Sequence, residues 1–307
     1  MKSIEQDTSP LAAAVSQPLL YVQVAFVTLL WGINWPIMKI AVSQMSPWLF
    51  RVITVAAAGC FVLGLSRLFG ERMAVPRNRL TPLIVISLLA GPSWHLLSAF
   101  GVHMAGGGRA AIVCYTMPVW ATILSAIILK ERLKPRHLLG LACGMAGLVV
   151  LIGHDLVKLQ AAPWGTLVML AAALVWAGQT VSVKAFDWGF GVIALAGWQL
   201  LIAAVPLTII WAIMDGALDI SSLRWDGTLS MLYVVCVALG FCFTSYIRLV
   251  RILPASVAAI SVLGVPIVGV VSSAIIVGEP ITIADLAALL LVLTALVLVL
   301  WPRRRRA

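Results

Sequence analysis

Two short stretches of this 307-residue chain set hydrogen-bonding and aromatic side chains inside apolar runs. In LLWGINWPIMK, residues 29–39, Trp31 and Trp35 are four apart and share a helical face, with Asn34 close to it. Trp176, Gln179 and Thr180 repeat the theme at i, i+3 and i+4. A tryptophan with an amide one turn away can stack on a flat apolar group and hydrogen-bond its polar end. Such a pair breaks no bond. It suits recognition of a small amphipathic molecule.

Other runs add to the set. GPSWHLLSAFGVHM, residues 91–104, carries Trp94 and His95, then Ser98, with His103 at the far end. A histidine at membrane depth is costly unless it faces a bundle interior or water, so His95 is a site candidate. Trp94 and His95 are about 100° apart on a helix, and both can line one cavity only if a wide face is open. Tyr115, Thr116, Pro118 and Trp120 lie together in a further run, where a buried phenol must hydrogen-bond. Thr244, Ser245, Tyr246, Ser256 and Ser261 are polar positions of two later runs, and the serines often bond their own helix backbone. Pro36 removes a backbone hydrogen bond and clashes with the Gly32 carbonyl, which predicts a bend there.

The elements that must position these residues follow from composition. The chain is 62% hydrophobic and 10% charged, with mean hydropathy +1.09, whereas soluble domains carry about 25% charged residues. Crossing a hydrocarbon core takes about 20 apolar residues as a helix, too continuous a run for a barrel strand. The sequence predicts ten spans: 19–42, 47–66, 80–101, 108–129, 138–153, 164–183, 192–214, 228–247, 255–277 and 281–301. Residues 1–17 lack the pattern of a signal peptide, so the first span is expected to stay in the membrane. Trp48, Trp164, Trp188, Trp211, Trp225 and Trp301 fall near span ends and suit the headgroup belt. Trp31, Trp35, Trp94, Trp120, Trp176 and Trp198 lie deeper and need a partner or a wet cavity.

The net charge of +10 is a topology signal. With a cytoplasmic N-terminus, ten spans put sixteen Lys and Arg residues inside and only Arg109, Lys158 and Arg224 outside. Lys39 and Arg51 remain near the outer ends of the first two spans. Lys39 could draw a carboxylate, although a lysine there is expected to snorkel to the interface. Both termini are therefore expected in the cytoplasm, and nucleic acid is excluded as a partner.

The halves also repeat. Trp31 precedes Lys39 by eight residues, as Trp176 precedes Lys184, at an offset of 145. PVWATILSAIILKE (118–131) and PIVGVVSSAIIVGE (266–279) both run from proline to glutamate over 13 residues, at an offset of 148. A repeat of five spans enters the membrane from the opposite side in its second copy. That inverted topology is a mark of secondary transporters with a site near the midplane. The loop KERLKPRH (130–137) is basic and its counterpart GEPITIAD (278–285) is acidic, as opposite sides require. The expected units are a segment 1–18, repeats 19–153 and 164–301, and a basic tail 302–307.

WGINWP and the two proline-to-glutamate endings are where the chain resembles a known family. From about Tyr21 to Trp301 it resembles the drug/metabolite transporter superfamily, in particular its EamA-type ten-helix exporters, and most the YddG-type aromatic amino-acid exporters. The resemblance implies an all-α polytopic membrane protein, with the first, third, fourth, sixth, eighth and ninth spans around a central cavity. The fifth and tenth would lie outside them. Gly140 and Gly144 in the fifth span are expected to pack helices within the monomer, and the chain to be a monomer or weak homodimer. The expected substrate-binding residues are Trp31, Asn34, Trp35, Trp94, His95, Tyr115, Trp120, Trp176, Gln179 and Thr180. The expected substrate is an aromatic amino acid or a similar amphipathic metabolite, exported by alternating access across a bacterial inner membrane.

None of the eleven acidic residues falls mid-span. Carboxylate proton relays and carboxylate sites for cationic drugs are thus not offered, which favours facilitated transport with His95 as the only proton handle. Aromatic faces can still hold cations, so export of cationic drugs or other metabolites stays as an alternative. The five cysteines sit in apolar spans without metal-ligand spacing, and no cofactor or metal is expected. With no HExxH, GxSxG or paired acids, an enzyme is not expected either. A scaffold or channel remains the other rival.

Overall fold

A computed structural model describes residues 17–105, 115–151, 163–277 and 283–300, and its described elements are all helices. They are α1 (Gln17–Val42), α2 (Pro47–Leu68), α3 (Arg77–Ala105), α4 (Met117–Ile128), α5 (Pro135–Leu151) and α6 (Pro163–Ala185). After them come α7 (Val192–Met214), α8 (Trp225–Ile252), α9 (Ala255–Ser261), α10 (Val265–Val277) and α11 (Ile283–Leu300). Among the described residues seven stretches are long and apolar enough to cross a membrane: α1, α2, α3, α6, α7, α8, and α9 with α10 taken together. Prolines open α2, α5 and α6, where a missing N–H costs nothing.

The apolar stripes on the outside are lipid-facing. Val22, Phe26 and Leu29 on α1, Val205, Ile209 and Ile213 on α7, and Leu286, Leu290, Leu293 and Val297 on α11 are exposed at helical spacing. Small residues fill the inner seams. α2 and α7 approach closely where Gly59 meets Leu201 and Gly197 meets Leu63. Gly140 and Gly144 let α5 close on α11 and on Leu263, meeting Val299 and Ala295.

The helix pairings exchange between halves. α2 packs on α7 and α5 on α11. The α3–α6 pair has its counterpart in α8–α1, and α4–α6 in α10–α1. Each half's first helix is therefore clasped by the other half's third and fourth. The ninth predicted span is divided, with a break at Val262–Gly264 between α9 and α10. α4 and α10 begin 148 residues apart, at Met117 and Val265, the same offset as the Pro118 and Pro266 motifs.

Two local departures shape the interior. α8 is α-helical at both ends and π-helical from Val234 to Phe243. The wider turn changes its carbonyl partners, and Gly240 within it leaves room for Phe61 of α2. α1 runs unbroken through Pro36. At Gly32 the demand is for space, because any Cβ would collide with Val268 of α10.

Loop carboxylates tie the halves at one end. Glu131, after α4, accepts from Ala255 N at 2.7 Å and Ser256 Oγ at 3.0 Å, capping α9. Glu71 accepts from Ile193 N at 2.9 Å and Ala194 N at 3.1 Å at the start of α7. Trp188 departs from its expected place in the headgroup belt. It is 0% exposed, lies between Phe186 and Phe190, and donates to Val183 O at 3.0 Å. The short 186–191 connection folds that ring under the bundle, whereas Trp164 and Trp225 are exposed at helix starts.

Candidate functional site

Rings from four helices meet in the interior. Trp176 of α6 lies 4.8 Å from Trp94 of α3, 6.0 Å from Trp31 of α1, and 5.7 Å from Tyr246 of α8. Tyr246 is also 5.6 Å from Trp31, and Phe243 lies 6.4 Å from Trp176. These tilted and edge arrangements are the favoured ones for aromatic pairs. The clasp described above positions them: α1 and α6 each bring the tryptophan that precedes their lysine, and α3 and α8 close over both.

Hydrogen bonds fix part of the cluster. The Trp31 indole donates to Ala238 O at 2.9 Å, a carbonyl of the π-helical stretch. Tyr233 Oη donates to Leu30 O at 2.8 Å, holding α8 to α1. Thr180 Oγ1 is 3.0 Å from Trp176 O and 2.9 Å from Tyr246 Oη. If Thr180 spends its proton on that carbonyl, the phenol is the donor to Thr180.

Other polar atoms of the wall are buried without a partner among the described residues. They include the Trp176 indole N–H, Asn34 Oδ1 and His95 Nδ1. Asn34 follows Trp31 by three residues, and His95 is next to Trp94. Buried polar atoms are rarely left unpaired, so several around one aromatic cluster fit a place for a solute or water.

The remaining predicted residues lie as follows. Gln179 is turned toward α7, its Nε2 donating to Gln199 Oε1 at 3.5 Å. Trp120 donates to Thr116 Oγ1 at 3.1 Å and packs near Ala177 and Ala259, as well as against the main core. Tyr115 is buried in the turn before α4. The side chains of Trp35, Lys39 and His103, and residue Cys114, lie outside the described residues. Trp198, grouped above with the deep tryptophans, donates to Met73 O of the loop after α2. Among the described residues no three His, Cys, Asp or Glu side chains cluster to hold a metal ion.

Sequence reasoning notes Tyr246 as a polar position of its run but leaves it out of the expected binding residues, and it does not reach Phe243 or the Ala238 carbonyl. Tyr246 had a legible signal, being a phenol in an apolar run like Tyr115. The carbonyl depends on the π-helical turn, which no residue pattern announced.

Membrane-length helices, lipid-facing stripes and an aromatic interior with unpaired polar atoms define a polytopic membrane protein. The chain belongs to the EamA-like transporter family, whose profile matches residues 19–153 and again 163–301, so the two halves are two copies of one unit. It is 31% identical over 284 residues to a probable amino-acid metabolite efflux pump of Salmonella typhimurium, covering 88% of this chain and 91% of that protein. It is 27% identical over 270 residues to the uncharacterized transporter YoaV of Bacillus subtilis, covering 87% and 91%. A crystal structure with 18% identity superposes with a TM-score of 0.78 over 92% of this chain and 96% of the other, which speaks for the fold. The chain is a membrane transporter, a multi-pass protein of a bacterial inner membrane.

Proposed function

We propose that this transporter exports small amphipathic metabolites, aromatic amino acids foremost, by alternating access. One observation carries the reading: Trp31, Trp94, Trp176 and Tyr246 meet where the two halves clasp, beside unpaired polar atoms of Asn34, His95 and Trp176. A substrate ring slots among the indoles, and the amide and imidazole orient its polar end. Tyr115, Trp120, Gln179 and Thr180 complete or brace the wall. The name of the Salmonella relative, an amino-acid metabolite efflux pump, supports the amino-acid class.

The architecture of the proposal is ten spans in two inverted five-span repeats, with both termini in the cytoplasm. The exchanged helix pairings and the sixteen-to-three bias of basic residues support it. With no acid mid-span, transport is facilitative, and His95 is the one group at depth able to carry a proton.

Reconstitution with radiolabelled Phe, Trp, Thr and Ala tests the substrate class. Phe and Trp are expected to move faster than Ala, and equal rates contradict the reading. Transport strictly dependent on a proton gradient, with that dependence kept in His95→Ala, contradicts the facilitative mechanism.

A further inference from the structure

Two kinds of contact join the halves near the bundle ends, and one kind occurs at both ends. Gln44, between α1 and α2, accepts from Arg224 N at 2.9 Å and donates to Asp226 Oδ1 at 3.1 Å, where α8 starts. At the far end of α8, Arg251 donates to Phe190 O at 3.5 Å in the α6–α7 connection. Beside it Gly189 sits against Pro76, and Gly191 N donates to Arg72 O at 3.0 Å. Gln44 and Gly189 are 145 residues apart, and Pro76 and Arg224 are 148 apart, the two offsets of the repeat. These are two copies of one joint, both closed. A carrier that opens to each side in turn needs contacts that break, and a joint shut at both ends is not one of them. Together with the α2–α7, α3–α7 and α2–α8 packing it forms a frame.

Glu131 makes the second kind. It follows α4 in the first half and accepts from Ala255 N at 2.7 Å, Ser256 N at 3.4 Å and Ser256 Oγ at 3.0 Å in the second. Thr28 of α1 donates to Ser261 O at 3.5 Å, so first-half side chains hold α9 at both its ends. All seven residues of α9 are buried, and Ala259 meets Ala121 of α4 and Ala177 of α6. Alanines bury little area there, so the contact costs little to part. The break at Val262–Gly264 separates α9 from α10, and a few non-helical residues suffice for a hinge. Glu131 is half-buried, so on release water replaces its partners and no charge is stranded.

We infer that the Glu131–α9 contact is the latch of the transport cycle at this end. It holds while the ring cluster is shut from that side and releases when the cluster opens there. The Gln44–Asp226 and Glu71–Ile193 joints stay closed throughout. The inference rests on the proposed alternating access and deepens it, by separating the contacts that move from those that do not.

A reducible thiol linker tests this in a chain with its five native cysteines replaced by alanine. Glu131→Cys with Ser256→Cys places the linker across the latch. Gln44→Cys with Asp226→Cys, and Glu71→Cys with Ile193→Cys, place it across the frame. Phenylalanine counterflow in proteoliposomes is read before linking, after it, and after reduction. Linking the latch is expected to slow counterflow by about tenfold or more, because the open state can no longer be populated, and reduction to restore it. Linking either frame pair is expected to leave counterflow within about twofold. Full counterflow with the latch linked overturns the proposal, and so does a frame link that stops counterflow equally. If the latch pair is inactive before linking, a second measurement decides. Ala259→Cys is expected to react with a water-soluble maleimide about fivefold faster when Glu131→Gln is added, the scale of one weakened charged hydrogen bond. An unchanged rate overturns the proposal. Absence of phenylalanine counterflow in the unlinked wild type defeats the functional reading and leaves the latch to the labelling rates. Counterflow there with a harmless latch link defeats only this inference.

Discussion

Trp176 touches four rings, from Trp31, Trp94, Phe243 and Tyr246, and still has an unpaired indole N–H. Replacing it by alanine removes the wall's centre. Trp176→Ala is expected to lower Phe flux by about tenfold or more while the protein still purifies folded, since each aromatic contact is worth about 0.5–1.5 kcal/mol. Flux in proteoliposomes beside a melting curve checks this, and unchanged flux removes Trp176 from the site. Tyr246→Phe keeps the ring and loses the Thr180 bond, for a smaller expected cost of about 1 kcal/mol in stability. Trp31, Trp94 and Trp176 stand out in the sequence because an indole at membrane depth wants a partner or a wet cavity, and the fold brings their rings together. The burial of Trp188 was not legible, because distance from a span end says nothing of how a six-residue connection folds back under the bundle.

Glu131 shows what an element-scale motif can and cannot tell. The proline-to-glutamate spacing exposed the repeat, yet the role of the carboxylate needed the fold, which brings the start of α9 to it from 124 residues away. Glu131→Gln keeps the shape and loses the charge at the helix start. It is expected to cost about 1–2 kcal/mol. Ser256→Ala should cost less, and the double variant less than the sum, because both changes break one contact. Thermal unfolding in detergent reads all three, and full additivity contradicts the shared cap. Gly32→Ala pushes a methyl into Val268 and is expected to destabilise the α1–α10 seam by about 1–3 kcal/mol. The sequence reading took Gly32 with Pro36 as a bend. Glycine's other use, letting a second backbone approach, depends on a helix more than 230 residues along the chain. The break between α9 and α10 likewise escaped notice, since Val262–Gly264 is as apolar as its flanks.

For the whole molecule, helical class and two-fold repetition could be read early, because lipid demands long apolar helices and duplication leaves matching spacings. How the halves interlock could not, since the pairings rest on small residues spread over every span. That interlock holds each half's first helix between the other's third and fourth and puts the ring cluster between the halves, the place the proposed alternating access has to open to either side. A carrier with one such site exchanges its substrate, whereas a channel does not. Counterflow measures this most directly. Proteoliposomes loaded with unlabelled phenylalanine are expected to take up labelled phenylalanine several-fold faster than empty ones, with saturation, and Trp176→Ala to abolish the acceleration. Uptake that ignores internal phenylalanine and rises linearly with concentration would contradict the account.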